Sequence, residues 1–426
     1  MNNDELQVLG AEKKQRKNNK VKIAIIALVA LLAIGGGICY YATSPKQPEK
    51  IKTGKKMGEP TIVPELQAAV DSLLRDELEM IDGLQGQAIV MEVQTGEILA
   101  MSGLERNFEG QFQPCKNFAY QQELGALTMA ASYLALLEIG VDSGYVVHTG
   151  IGVTPVDEGL VMRDHNWRRG GYGDINLSRA MEVSSNIGIA YPVSKFFKGR
   201  ENDFFDILNK MSFGQPSNID RIEGLQPSSY SSPKDTDWVN YNIWWSAIGY
   251  ERKIAPIQML TFYNAIANNG KMVKPTLKTG EIEIINPQIA NPQNIQNIQT
   301  VLKHVVSQGL GRKAGSSILS VAGKTGTSQV GEYDFGEDTY VDEYQLAFCG
   351  YFPADEPKYS IIVSMNKLGL PASGGGMAGV VFHNIVEWMI THGMPPVFFL
   401  NEETNDTIRV TSNNVDSIIS NSLKQD

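Results

Sequence analysis

Ten residues, Val321–Val330, read Val-Ala-Gly-Lys-Thr-Gly-Thr-Ser-Gln-Val, and they narrow the fold further than any other stretch. Valine and threonine suit a pleated strand, while glycine inside a strand marks a place where another backbone comes close. Such an edge can accept an extended peptide by strand addition, with the cation and hydroxyls alongside to hold a carboxylate. Two further strands are expected, Tyr344–Phe352 and Tyr359–Met365, separated by Pro353–Lys358. Together the three make an antiparallel meander. Near the other end, Gln87–Met101 has the pattern of a hairpin turning at Thr95-Gly96. Strands at both ends with helices between them predict one α+β domain in which the early hairpin joins the late meander.

The intervening helices follow from composition and spacing. Pro64–Leu84 repeats Leu66, Val70, Leu73, Leu74 and Leu78 at helical intervals. Leu124–Glu138 is Ala-, Leu- and Met-rich, as in a buried helix. Asn176–Tyr191, around Ser184-Ser185-Asn186, and Asp203–Met211 also read as helical. Ile257–Asn268 reads as an amphipathic helix stopped by Asn269-Gly270, and Val380–Ile390 as an apolar helix after three glycines. Val146–Gly173 is read as irregular and Pro227–Asp237 as loop. Ile284–Gln299 is read as a surface connection leading into a helix at Val301–Val306, and Gly331–Glu343 as a polar excursion.

Ile23–Ala42 is almost wholly apolar. At about 1.5 Å per residue it is long enough for a bilayer core of about 30 Å. Six basic residues (Lys13, Lys14, Arg16, Lys17, Lys20, Lys22) precede it, which keeps the N-terminus cytoplasmic and the bulk of the chain outside. No small-x-small cleavage site follows, so an uncleaved anchor is expected rather than a signal peptide. The expected plan is a leader at 1–22, an anchor at 23–42, a stalk at 43–60, a domain at 61–400 and a polar tail at 401–426. The net charge of −10 argues against a nucleic-acid partner. Three cysteines imply no disulfide framework, though Cys115 and Cys349 could pair. Five scattered histidines and no Cys/His cluster give no metal site to propose, and no cofactor is expected.

The order of motifs resembles the transpeptidase domain of class B penicillin-binding proteins. Thr61–Gln67 is similar to the family's domain opening, and Thr95-Gly-Glu-Ile-Leu-Ala-Met101 to its first hairpin. Ser184-x-Asn186 and Lys324-Thr325-Gly326 resemble two of its three active-site motifs. Ser246–Gly249, Ala255–Met259, Ile266–Gly270 and Gly350–Pro353 fit the segments around them. A second Lys-Thr-Gly at 278–280 looks like chance. The resemblance implies a β-lactamase-like fold, an antiparallel sheet flanked by helices with a helical subdomain, and a role in peptidoglycan synthesis. It implies that Ser184 and Asn186 relay protons and hold a substrate amide, and that Lys324, Thr325 and Thr327 grip a terminal carboxylate. The backbone N–H groups of residues 126 and 327 would form the oxyanion hole. Expected partners are stem peptides or β-lactams, other cell-wall proteins, and the membrane through residues 23–42.

The remaining motif, Ser-x-x-Lys at a helix start, is where the chain departs. Its place reads Glu123-Leu124-Gly125-Ala126-Leu127-Thr128-Met129, with Ala126 for the nucleophile and Met129 for the base. A serine hydroxyl needs an adjacent base to attack, and a lysine one helical turn away supplies it. Alanine has no oxygen and methionine no basic site. Thr128 sits about 200° round a helix from Ala126, on the opposite face. Ser231-x-x-Lys234 contains Pro233 in a loop, and Ser364-x-x-Lys367 falls on a strand where the two residues face opposite ways. The reading is a transpeptidase fold that no longer forms an acyl-enzyme, with an enzyme using an unrecognised serine as its rival. A β-lactam or muropeptide sensor is a third reading, disfavoured by so short a leader.

Overall fold

The computed structural model describes residues 57–215, 222, 224–280, 282–334, 340–396, 398–401 and 406–411. The leader, the apolar run, most of the stalk and most of the tail lie outside these residues. The chain divides into two units, Lys52–Pro395 and a second made of Met1–Ile51 with Pro396–Asp426. Of the second, two strands are described at 398–401 and 406–409, paired antiparallel where a loose tail was expected.

The larger unit opens with α1 (Pro64–Met80), whose proline occupies the first turn, where no N–H is needed. Then come β1 (Gly83–Glu92), β2 (Ile98–Arg106), β3 (Phe112–Pro114) and α2 (Met129–Glu138). The segment expected to be irregular instead forms β4 (Val146–Gly150), β5 (Val153–Asp157), β6 (Leu160–Arg163) and β7 (Gly173–Asn176), with β4 paired to β7 and β5 to β6. After α3 (Leu177–Glu182), α4 (Asn186–Phe196) and α5 (Glu201–Lys210) come β8 (Ser229–Tyr230), α6 (Asn242–Ile248) and β9 (Arg252–Lys253). The stretch expected as loop at Pro227–Asp237 therefore contains β8, which pairs with β9. The remainder runs α7 (Pro256–Ala267), β10 (Met272–Val273), β11 (Ile284–Asn286), α8 (Pro292–Ser307), β12 (Ala322–Asp334), β13 (Tyr340–Phe352), β14 (Tyr359–Leu368) and α9 (Gly379–Thr391).

One six-stranded sheet has the order β12-β13-β14-β1-β2-β3, with every neighbouring pair antiparallel. The early hairpin thus joins the late meander through β1 and β14, with Ile89 opposite Ile362. Both faces of the sheet are covered. In β13, Ala347, Cys349 and Tyr351 belong to the main core, while Phe348 points the other way onto Phe382 of α9, ring centres 4.7 Å apart. Alternation along the strand sends successive side chains to opposite faces.

Four further expectations are corrected. Ile257–Asn268 is not amphipathic: all twelve residues of α7 are buried, because the sheet and the neighbouring helices cover every side. Ile284–Gln299 is not a surface connection. Asn291 caps α8 through Gln293 N–H at 2.9 Å, Pro292 starts it, and Ile295 and Ile298 enter the core. The polar excursion at 331–343 is mostly strand, since β12 and β13 stay paired to Asp334 and Tyr340. Asn176–Tyr191 is two helices with a break at Ser184, whose φ is +51°. Cys115 and Cys349 are both free thiols, the latter fully buried.

A buried polar clasp ties α7 to the sheet. Asn264 Nδ2 donates to the Val93 carbonyl at 3.1 Å, and Asn264 Oδ1 accepts from Ser360 Oγ at 2.7 Å. Asn264→Ala takes the donor from the buried Val93 carbonyl, at a cost of about 1–3 kcal/mol, and removes the shorter of two bonds made by Ser360 Oγ, which keeps the Met91 carbonyl at 3.5 Å. Urea unfolding followed by tryptophan fluorescence should therefore show a loss of roughly 1–3 kcal/mol.

Candidate active site

The Lys-Thr-Gly segment lies on β12, the edge strand, so one side of its backbone is free of sheet pairing. Facing it is the break between α3 and α4. Residues 324 and 184 meet there: Lys324 Nζ donates to Ser184 Oγ and, at 3.1 Å, to the Thr325 carbonyl. Thr325 Oγ1 lies 3.4 Å from Ser184 Oγ. Lys324 is fully buried, and desolvation lowers its pKa to about 7.

The break is built rather than accidental. A non-glycine residue at positive φ is strained and persists only when its surroundings over-determine it. Ser185 does so: its N–H donates to the Ala180 carbonyl at 2.9 Å, and its Oγ accepts from Gly188 N–H at 2.9 Å as the cap of α4. Asp164, fully buried, accepts from Ser185 Oγ at 2.9–3.0 Å and from Ile187 N–H at 3.1 Å. Burial pushes the Asp164 pKa up, and the hydrogen bonds from Ile187 and Ser185 oppose that shift. Asn186 Nδ2 donates to the Arg163 carbonyl at 2.9 Å. The loop beginning Asp164-His165-Asn166-Trp167, inside the stretch expected to be irregular, thus clamps this turn.

The third wall is a 3₁₀ turn, Gly125–Thr128, leading into α2. It comes close to β12 because both chains offer glycine there. Gly125 has φ +55°, and a side chain at Gly326 would run into the Leu124 carbonyl. Tyr263 Oη donates to the Leu127 carbonyl at 2.9 Å, and Ser328 Oγ to the Glu123 carbonyl at 2.7 Å, so the turn is pinned from α7 and from β12. Ala126 is half-buried in this turn, Met129 is completely buried, and Thr128 is also buried. Thr327 is exposed beside the turn, and its Oγ1 accepts from Gly374 N–H at 2.9 Å. The glycine run before α9 is another contact that sequence alone did not assign.

Other expected positions fall elsewhere. Ser364 is buried on β14 between Gln87 and Gln122, and Lys367 donates to the carbonyls of Leu368 and Gly369. Lys278 and Thr279 sit at the domain opening against Glu59 and Pro60. Apart from these positions, Trp244 lies in the main core, and Trp238 and Trp245 pack against that core.

An antiparallel sheet whose Lys-Thr-Gly edge strand meets a Ser-x-Asn turn is the cleft architecture of the penicillin-recognising serine acyl-transfer proteins. Comparison with known sequences agrees. The family described as penicillin binding protein transpeptidase domain matches residues 86–387, and the chain belongs to that family. Among curated relatives, PbpB of Mycolicibacterium smegmatis is 27% identical over 342 residues, covering 72% of this chain and 50% of the relative. The peptidoglycan D,D-transpeptidase FtsI of Escherichia coli is 23% identical, covering 79% and 58%. The chain thus spans about half the length of the curated relatives it matches. Among solved structures, penicillin-binding protein 3 of Mycobacterium tuberculosis in complex with aztreonam superposes with a TM-score of 0.66 at 24% identity, covering 80% of each chain. The transpeptidase domain of Burkholderia pseudomallei penicillin-binding protein 3 gives 0.64 at 23%, covering 77% of this chain and 94% of that one.

Lys324 also sets a pH dependence. Folded, it loses its proton above about pH 7; unfolded, it keeps it to near 10.5. Between those values the unfolded chain binds more protons, so stability rises with pH by up to about 1.4 kcal/mol per unit. Below about pH 7 both states are protonated and the contribution is flat. Urea midpoints taken from pH 7 to 9 should therefore rise in the wild type relative to Lys324→Met, and match in trend below pH 7.

Proposed function

We propose that this protein is a membrane-anchored pseudo-transpeptidase: a penicillin-binding fold that takes part in peptidoglycan synthesis by binding stem peptides or partner proteins without forming an acyl-enzyme. The observation that carries this reading is the pairing of Ala126 with a fully buried Met129 at the turn where a nucleophile and its base would stand. Loss of the nucleophile in a serine hydrolase costs on the order of 10⁶ in turnover.

The opposite wall of the cleft supports retained binding. Ser184 and Asn186 are the groups for a substrate amide, Lys324, Thr325 and Thr327 those for a terminal carboxylate, with Gly326 giving the close backbone approach. Alanine keeps its N–H, so the oxyanion pocket between residues 126 and 327 survives the substitution. Residues 23–42 serve as the anchor, with the domain in the extracytoplasmic or periplasmic space and the first 22 residues inside. Among the described residues no helix is long and apolar enough to cross a membrane. Neither a cofactor nor nucleic acid enters this reading. Contacts with other cell-wall proteins follow from the same scaffold role.

One observation favours a second reading, an active D,D-transpeptidase or carboxypeptidase. Ser184 Oγ receives a hydrogen bond from a lysine whose pKa is lowered to about 7, a serine–amine pair in its own right.

Incubation with a fluorescent penicillin discriminates the two. The first reading expects no covalent band from the native chain, and a band from the double variant Ala126→Ser, Met129→Lys, mapped to residue 126. A band from the native chain mapped to Ser184 would replace it with the second.

A further inference from the structure

The net charge of −10 makes a local excess of arginine conspicuous, and one stands on the rim of the cleft. Between β6 and β7 the chain reads Arg163-Asp-His-Asn-Trp-Arg-Arg169. Arg163, Arg168 and Arg169 are exposed, and among the described residues none of the three forms an ion pair. Three carboxylates of the surrounding elements have partners of their own, while Asp157 and Glu158 stand exposed at the far turn of the β5–β6 hairpin. Asp164 is turned inward onto Ser185 and Ile187, Asp174 meets His148 Nδ1 at 2.6 Å, and Glu182 meets Arg179 at 2.7 Å and His304 at 3.2 Å. His165 adds little positive charge, because desolvation, then Arg169 and Lys324, lowers its pKa.

At the centre stands Trp167, 37% exposed. The guanidinium of Arg163 lies 5.4 Å from its ring centre and that of Arg168 4.8 Å. The turn is fixed: Trp167 N–H donates to the Asp164 carbonyl at 3.1 Å and Arg169 N–H to the Asn166 carbonyl at 2.7 Å. Gly152 lets Trp167 pack close, since a Cβ there would lie 3.1 Å from Trp167 Cα. An indole flanked by guanidiniums on a rigid turn is a preorganised platform, and Trp and Arg are the residues most often found at binding hot spots. Stacking leaves the guanidinium N–H groups free for a carboxylate, which they grip in a fork.

The location selects the occupant. The Arg163 carbonyl is held by Asn186, and Asp164 holds the turn before α4, so the platform is built onto the same loop that faces Lys324. A peptide leaving the cleft past Asn186 reaches it. We propose that Arg163, Trp167 and Arg168 form a subsite for a side-chain carboxylate of a peptide held between Ser184–Asn186 and β12. This rests on the reading that the cleft still binds D-Ala-D-Ala-type peptides. The subsite makes the protein a selector of acidic over amidated peptides.

The test uses the full chain in detergent micelles and two synthetic pentapeptides ending in D-Ala-D-Ala, identical except that one internal carboxylate is free in one and amidated in the other. Calorimetry at low salt should show the free acid binding about tenfold more tightly, with the preference shrinking as salt rises. The exposed double substitution Arg163→Gln, Arg168→Gln should erase the preference and leave binding of the amide unchanged. Equal affinities in the native chain would overturn the subsite while leaving the cleft reading in place. A preference that persists in the double variant would also overturn it, placing the carboxylate elsewhere. Absence of binding by either peptide would end both. If anionic vesicles bind through the two arginines and the peptides show no preference, the patch belongs to a membrane surface and the proposal falls.

Discussion

A lysine buried without a carboxylate must find its partners among neutral oxygens, and here the partners come from two different layers. Lys324 projects from the edge strand, and Ser184 stands on a helical break. Removing an ammonium from water is expensive, which is why the pKa falls and why the oxygens have to be delivered accurately. The strained φ of Ser184, the cap by Ser185 and the inward Asp164 all serve that delivery. An arrangement costly to keep, at the foot of a cleft, is the kind of site where function is to be sought.

Under the proposed reading, the loss at the other wall would be cheap. The turn at Gly125–Thr128 is held through backbone carbonyls, by Tyr263 and Ser328, and through glycine contacts with β12. None of these depends on the side chain at 126. Met129 fills its place with apolar atoms and joins the core. On that reading, Ala126 and Met129 would leave the shape of the turn intact while supplying neither a hydroxyl nor an amine, and Met129 adds its apolar atoms to the buried packing.

What could be read from the residues depended on whether the signal was local. The meander, the early hairpin and their union across β1 and β14 were visible because alternation and turn residues are local, and both sets of strands were there to be joined. Ala126 and Met129 stood out for a similar reason, as departures from an otherwise ordered series of motifs. The all-round burial of α7 was not, because Thr261, Asn264 and Gln258 look polar until their partners are seen. Nor was the start of α8, although Asn291-Pro292 is a cap-and-proline signal that could have been weighed above the surrounding Gln and Asn. The burial of Lys324 needs a partner 140 positions away, and the exposed Arg163 and Trp167 acquire meaning only beside Asn186.

The all-round burial of α7 has a consequence for how the larger unit comes apart. Twelve residues that touch strands on one side and helices on the others leave no seam along which the two layers could part independently. Opening either layer would expose the same helix, so both must melt together, and the amide protons of α7 should be the last to trade places with deuterium.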